Sequence, residues 1–283
     1  MSFSPEKKSV ATDKGDICYF IAGPAAGDHA VMLLHGLSSN HTTWLPLMET
    51  LAAQGIRSVA PDLRGHGFSD KSKRKAWYTL PVFVEDVRRI AEQERLQKMD
   101  MVGYSFGGYV ALSYAAAYPA SLRTLALVSA NFMNPLHYKP FSFLAPALAT
   151  LVDGAGWLFR PQSLGQYHYF EQGKSTGYFN STFKGLFTMP LSVNFWMLAQ
   201  ALRLDLGAAL PRVTCPTLIV RSASDPYLTD REVTDMSRGI KNARAVTLAG
   251  SGHHLASLNQ DLFARELLPF MENPAENLKF RNL

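Results

Sequence analysis

Cysteine is nearly absent from this 283-residue sequence: Cys18 and Cys215 are the only two. Two thiols this far apart fit neither a metal-ligand pattern nor the dense disulfide framework of a small secreted domain. They are expected as buried thiols in a reducing compartment, with a single bridge as the alternative. Charge is also sparse, at 18% of residues with a formal net charge of +5. The basic residues are scattered apart from Lys71, Lys73, Arg74 and Lys75. A solvated loop accounts for that run better than a nucleic-acid-binding face, so no nucleic-acid partner is expected. The first ten residues, MSFSPEKKSV, lack the apolar core of a secretory leader, and the expected location is cytoplasmic. The most lipid-like stretch, Phe141 to Phe159, is interrupted by Asp153, Gly154 and Gly156. It reads as a buried or cleft-lining helix pair, without stable membrane insertion. Repeats and low-complexity tracts are absent as well.

What the sequence does have is apolar residues, 47% of the total, enough for a substantial core in one domain carrying an insertion. Short apolar runs at Asp16–Ala22, Ala30–Leu34, Ser58–Ala60, Met99–Gly103, Thr124–Ser129, Thr217–Arg221 and Ala245–Leu248 read as strands. Helical stretches alternate with them, which predicts an α/β fold with a mostly parallel sheet. Trp44, Leu47, Met48 and Leu51 share one helix face ahead of Gly55, and Pro81 sits in the first turn of a helix carrying Val84, Val87 and Ile90. A last helix carries Phe263, Leu267, Phe270 and Met271 on one face. The alternation fails between about Asn131 and Leu210, where aromatics, Pro and Gly accumulate. The expected division is therefore a core of residues 1–131 and 211–283 with a helical cap at 132–210.

The strongest chemical signal is Gly103-Tyr104-Ser105-Phe106-Gly107, a G-x-S-x-G segment with a strand before it and a helix after it. A nucleophile on so sharp a turn needs a strained backbone, and glycines two residues either side remove Cβ atoms that would collide. The helix that follows aims its first N–H groups at developing negative charge. A serine hydroxyl is a weak nucleophile and needs a base that is itself oriented by an acid. After the strand Thr217–Arg221 the candidate acid is Asp225. After the strand Ala245–Leu248, Gly250-Ser251-Gly252 presents His253 and His254. Spacing from the strand favours His253 as base, with His254 as the alternative. The backbone N–H groups of Leu37, after His35-Gly36, and of Phe106 are the candidate oxyanion donors. His35 itself reads as a loop-bracing hydrogen-bonder.

With these motifs the chain resembles the α/β-hydrolase family, in its capped serine esterase and lipase form, over nearly all of its length outside the insertion. Asp62-Leu63-Arg64-Gly65-His66-Gly67-Phe68-Ser69 is similar to the family's D-x-R-G-x-G-x-S segment, in which Asp62, Arg64 and His66 would be structural. The resemblance implies an eight-stranded sheet flanked by helices, a cap after the sixth strand and no cofactor. No metal ligands are expected. The chain departs from the family pattern at Asn259, where relatives often carry Glu or Asp one residue nearer the histidine.

The function these residues predict is hydrolysis of a small-molecule carboxylic ester through an acyl-enzyme. The insertion's aromatics (Phe141, Phe143, Trp157, Phe159, Tyr167, Tyr169, Phe187 and Trp196) predict an apolar acyl or aryl group, although each is expected in the cap's own core before a pocket wall. Serine at 105 argues against dehalogenases and epoxide hydrolases of this fold, which use aspartate. Carbon–carbon bond hydrolysis, lactone hydrolysis and perhydrolysis remain open. An aminopeptidase is disfavoured because the insertion offers few acids, chiefly Asp153 and Glu171. The rival from outside enzymology is a non-catalytic receptor or scaffold with this fold.

Overall fold

The structure is a computed structural model that describes residues 3–25, 30–159, 189–250, 252–258 and 260–278. Its centre is an eight-stranded sheet of β1 (Glu6–Thr12), β2 (Gly15–Ala22), β3 (Ala30–Leu34), β4 (Arg57–Pro61), β5 (Met99–Tyr104), β6 (Leu122–Val128), β7 (Thr217–Ser222) and β8 (Ala243–Leu248), in the spatial order β1-β2-β4-β3-β5-β6-β7-β8. The first two strands form an antiparallel hairpin, and β2 runs antiparallel to β4. From β4 to β8 every pairing is parallel. Strands covered on both faces read as unbroken apolar runs. Accordingly β3, β5 and β7 are buried at every position.

The flanking helices are α1 (Leu45–Ala53), α2 (Leu80–Gln93), α3 (Phe106–Ala117), α4 (Ala145–Leu158), α5 (Leu191–Ala201), α6 (Asp230–Gly239) and α7 (Gln260–Glu272). Because successive strand residues face opposite ways, the core divides in two. Met32, Leu34, Met101, Leu125, Leu127 and Ile219 pack with Phe83, Val87 and Ile90 of α2 and with α3. Val31, Leu33, Val102, Ala126, Leu218 and Val220 pack with Trp44, Leu47, Met48 and Leu51 and with Phe263, Leu267 and Phe270 of α7. Gly55 has φ of 72° after α1, as a helix-ending glycine should, and Pro81 lies in the first turn of α2.

Several details differ from the sequence expectations. Strand β1 went unread, because Glu-Lys-Lys-Ser-Val-Ala-Thr has no apolar run; at a sheet edge most of its side chains stay in contact with solvent. Residues 141–159 form one helix with a short preceding turn, and its partner is α5. Of that stretch Phe141, Phe143, Leu151, Trp157, Leu158 and Phe159 are exposed, and it holds one long helix, which corrects the buried form of the expected buried or cleft-lining helix pair. Apolar composition recorded the stretch's hydropathy but not which way its residues face. Of Phe141, Phe143, Trp157, Phe159 and Trp196, only Trp196 is core, packed 5.5 Å from Trp157. Tyr167, Tyr169, Glu171 and Phe187 lie outside the described residues, as does Asn259.

The basic run divides by residue. Lys73 and Arg74 are exposed, while the Lys71 ammonium donates to the Gly67 and Ser69 carbonyls. Lys75 pairs with Asp153 of α4, which Arg203 also approaches at 3.6 Å. Both cysteines are buried and free. Among the described residues no helix is long and apolar enough to cross a membrane.

Candidate active site

Parallel strands that end at one edge bring the loops that follow them together. Leu34 of β3 is in register with Gly103 of β5, so the His35–Ser38 loop and Ser105 become neighbours. Ser105 occupies the turn between β5 and α3 with φ of 50° and ψ of −115°, a conformation that strains any residue with a Cβ. The flanking glycines show why the turn requires them. A Cβ on Gly103 would sit 2.6 Å from the Gly107 carbonyl oxygen, and one on Gly107 would sit 2.6 Å from the His35 carbonyl oxygen.

Three side chains from three loops meet there. Ser105 Oγ lies 2.8 Å from Nε2 of His253, and the ring's other nitrogen, Nδ1, lies 3.1 and 3.2 Å from the two Asp225 oxygens. The geometry thus gives His253, and not His254, the position between serine and carboxylate. Asp225 is buried on the loop after β7 and also accepts a hydrogen bond from the Tyr227 backbone N–H at 2.9 Å. Burial pushes its carboxyl up, but the His253 bond and charge and the Tyr227 N–H outweigh that, so its pKa lies below the ordinary value. An ionised Asp225 favours the tautomer of His253 with a proton on Nδ1, which leaves Nε2 as the acceptor facing Ser105 Oγ. Two tyrosines that sequence reading did not single out frame this histidine. Tyr104 donates its hydroxyl proton to the His253 carbonyl at 3.0 Å, and the Tyr227 ring stands edge-on 5.0 Å from the imidazole.

The predicted oxyanion donors flank the same serine. Phe106 is the first residue of α3, where a backbone N–H has no acceptor within the helix. Gly36 runs so close to the turn that a Cβ on it would sit 3.2 Å from Ser105 Cβ, which places the neighbouring Leu37 beside the serine. The loop carrying Leu37 is held by histidines. His35 Nε2 accepts the Leu63 N–H at 2.9 Å, and His66 Nε2 accepts the Ser38 N–H at 3.2 Å. Both rings are fully buried, and burial pushes their pKa values down, to about 4 for His35 and about 3 for His66. Both are therefore neutral acceptors at neutral pH. Asp62 accepts the His41 N–H and its ring Nδ1 at 2.8 Å and the Phe68 N–H at 2.8 Å, while buried Arg64 makes a two-pronged pair with Asp86. These contacts brace loops and none of them is made to Ser105. Among the described residues no cluster of three or more histidine, cysteine or acidic side chains could hold a metal ion.

Residues 29–259 match the family model for the α/β-hydrolase fold. The chain belongs to that family. RutD of Variovorax paradoxus, which carries a provisional carbamate-hydrolase name, is 28% identical over 267 residues, covering 89% of this chain and 95% of its own length. An uncharacterised protein of Mycobacterium tuberculosis, Rv2715, is 37% identical over 107 residues. That match takes in 38% of this chain, and the chain spans only 30% of the relative's length. Among solved structures, the enol-lactonase of Burkholderia xenovorans LB400 superposes with a TM-score of 0.72 at 20% identity, over 94% of this chain and 100% of that one. A likeness at that identity speaks for the fold alone.

Two residues of α5 reach two different loops near the site, Asn194 the His35–Ser38 loop and Val193 the loop at Gly65. Asn194 of α5 accepts a hydrogen bond from Ser38 Oγ at 2.6 Å, and a Cβ on Gly65 would sit 2.8 Å from the Val193 side chain. No local pattern in the sequence marks Asn194. The 156 residues that separate it from Ser38 are bridged only by the fold.

Proposed function

We propose that this protein hydrolyses carboxylic esters with an apolar acyl or aryl group, using Ser105 as nucleophile, His253 as general base and acid, and Asp225 as the orienting carboxylate. The observation that carries this reading is the unbroken chain from Ser105 Oγ through His253 to a buried, ionised Asp225. In the first step His253 Nε2 takes the serine proton as Oγ attacks the acyl carbonyl. The backbone N–H groups of Leu37 and Phe106 stabilise the resulting oxyanion, each worth about 3 kcal/mol by analogy with donor removal elsewhere. The protonated imidazole then passes its proton to the departing alcohol, which leaves an acyl-serine. Water, activated by the same histidine, hydrolyses that ester and restores the enzyme.

Residues 132–210 are proposed as the cap that shapes the acyl site. The α4–α5 pair within that span and the contact of α5 with the His35–Ser38 loop support this assignment. The preference for an apolar acyl group rests on the aromatic composition of the insertion. The carbamate-hydrolase name borne by the relative of similar length marks the nearest alternative, because a carbamate presents the same acyl carbonyl to the same serine.

The test is a kinetic panel of p-nitrophenyl esters of increasing acyl length, with lactone, amide and carbamate substrates beside them. Ester turnover should dominate, and Ser105→Ala should abolish it with the thermal midpoint nearly unchanged. A fluorophosphonate probe should label Ser105 in the folded wild type. Failure to label, or substantial turnover in Ser105→Ala, would overturn the assignment of the nucleophile.

A further inference from the structure

Helix α4 is apolar on the face it turns to solvent, where a surface helix ordinarily carries its polar residues. Its inner seam consists of Ala145, Ala149 and Gly156, all buried. On the opposite side Leu148 is exposed, and Leu151 and Leu158 are 73% and 84% exposed. Gly154, which lies between those two leucines, opens onto empty space. In the turn that leads into the helix, Phe141 and Phe143 are 67% and 74% exposed. No exposed position of α4 is charged. The helix's single charged residue, Asp153, is turned to the flank, where Lys75 and Arg203 meet it. Exposed apolar surface of this extent marks a contact that removes it from water.

The charges at the edge of this face indicate which contact. Two cations, Lys75 and Arg203, share the one carboxylate of Asp153, so the flank of α4 keeps a net positive charge. Arg74, exposed beside Lys75, lies over the Trp77 ring and has no acidic partner among the described residues. A second copy of the chain, docked through the same face, would bring the same positive flank to both sides of a two-fold contact. An anionic bilayer instead offers an acyl boundary to the leucines and phenylalanines and phosphate to the cations. With 14 residues α4 is about 21 Å long. That is short of the hydrocarbon thickness, about 30 Å, so the helix would lie in the interface and not cross it.

We infer that α4 and the turn before it dock this protein on an anionic phospholipid surface. Phe141, Phe143, Leu151 and Leu158 enter the acyl boundary, and Arg74, Lys75 and Arg203 meet the headgroups. Vesicle binding is read without turnover, so its outcome is independent of acyl transfer at Ser105.

The experiment is co-sedimentation of the full chain with vesicles of phosphatidylcholine, alone or with about 30% phosphatidylglycerol, at low and at high salt. At low salt the protein should partition about tenfold more strongly onto the anionic vesicles, and high salt should release most of it. Leu151→Gln and Leu158→Gln remove apolar surface without adding charge, and each should weaken that partition about tenfold. Arg74→Gln should weaken it about fivefold and leave binding to phosphatidylcholine alone unchanged. Because all three positions are open to solvent, the thermal midpoints of the variants should match that of the wild type. A wild type that stays in solution with both vesicles, or binds them equally, would overturn the assignment. So would a midpoint that falls by several degrees in both leucine variants, because the face would then be covered within the chain. A concentration-dependent dimer that Leu151→Gln dissociates, without vesicle binding, would give the face to a second copy instead.

Discussion

At the level of single residues, the site divides into contacts that a local pattern announces and contacts that only the fold creates. Ser105 was legible because its requirements are local: a strand, a turn that excludes Cβ atoms at 103 and 107, and a helix start, all within a few residues. Asp225 was legible for a similar reason, as an acid on the loop leaving a buried strand. The choice between His253 and His254 was harder, since adjacent residues share their spacing from β8 almost equally. The three-residue helical turn at Gly252–His254 settles which ring turns toward Ser105, and the rings of the two histidines stand 6.3 Å apart at a steep angle. Separate replacement by alanine should therefore be unequal. His253→Ala should lower kcat by about 10³-fold or more, because it removes the proposed base for both half-reactions. His254→Ala should retain activity within about tenfold, its ring making neither of the contacts that hold His253 to Ser105 and Asp225. Comparable losses in the two variants, measured on one ester, would contradict this assignment.

Whole elements were legible where burial on both faces produced apolar runs, as in β3, β5 and β7, and illegible where solvent contact erased the pattern, as in β1. Helix α4 shows a subtler failure. Its two glycines suggested interruption, yet both lie inside a continuous helix and differ in environment. A Cβ on Gly154 would meet nothing within 4 Å, whereas one on Gly156 would sit 2.6 Å from the Trp196 indole. Gly154 therefore carries only the entropic cost of glycine in a helix, and Gly156 allows α4 to approach α5. Gly154→Ala should raise stability by about 0.5–1 kcal/mol. Gly156→Ala should lower it by about 1–3 kcal/mol, because the indole would have to move out of a packed contact. Urea midpoints of the two variants check this directly, and equal shifts of one sign would show that the helices do not pack as described.

The molecule as a whole carries a further consequence of how its site is braced. His35 and His66 hold the loop beside Ser105 as neutral acceptors, their rings 4.9 Å apart and both buried, with the Asp62 carboxylate acting on both. In the unfolded chain each takes up a proton as pH falls below its ordinary value of 6.5, whereas the folded protein resists until about 4 for His35 and about 3 for His66. Across that window the unfolded state binds more protons, so folding stability must fall with pH. The slope is about 1.4 kcal/mol per pH unit for each histidine at full difference. Burial lowers His254 too, which acts in the same direction. Asp225 does not oppose this trend within the window: its folded pKa is depressed below 3.8, so the stability it contributes is present above that value and is lost only under more acidic conditions. Urea unfolding should thus give a level midpoint from pH 8 to 7 and a steady decline from about 6.5 to 4. His66→Asn keeps an acceptor and a donor in the ring's place without a titrating group, so its decline should be shallower by about one histidine's share. If the variant declines as steeply as wild type, the acid sensitivity arises elsewhere. A shallower slope would instead place the molecule's acid limit in the brace of the loop beside Ser105.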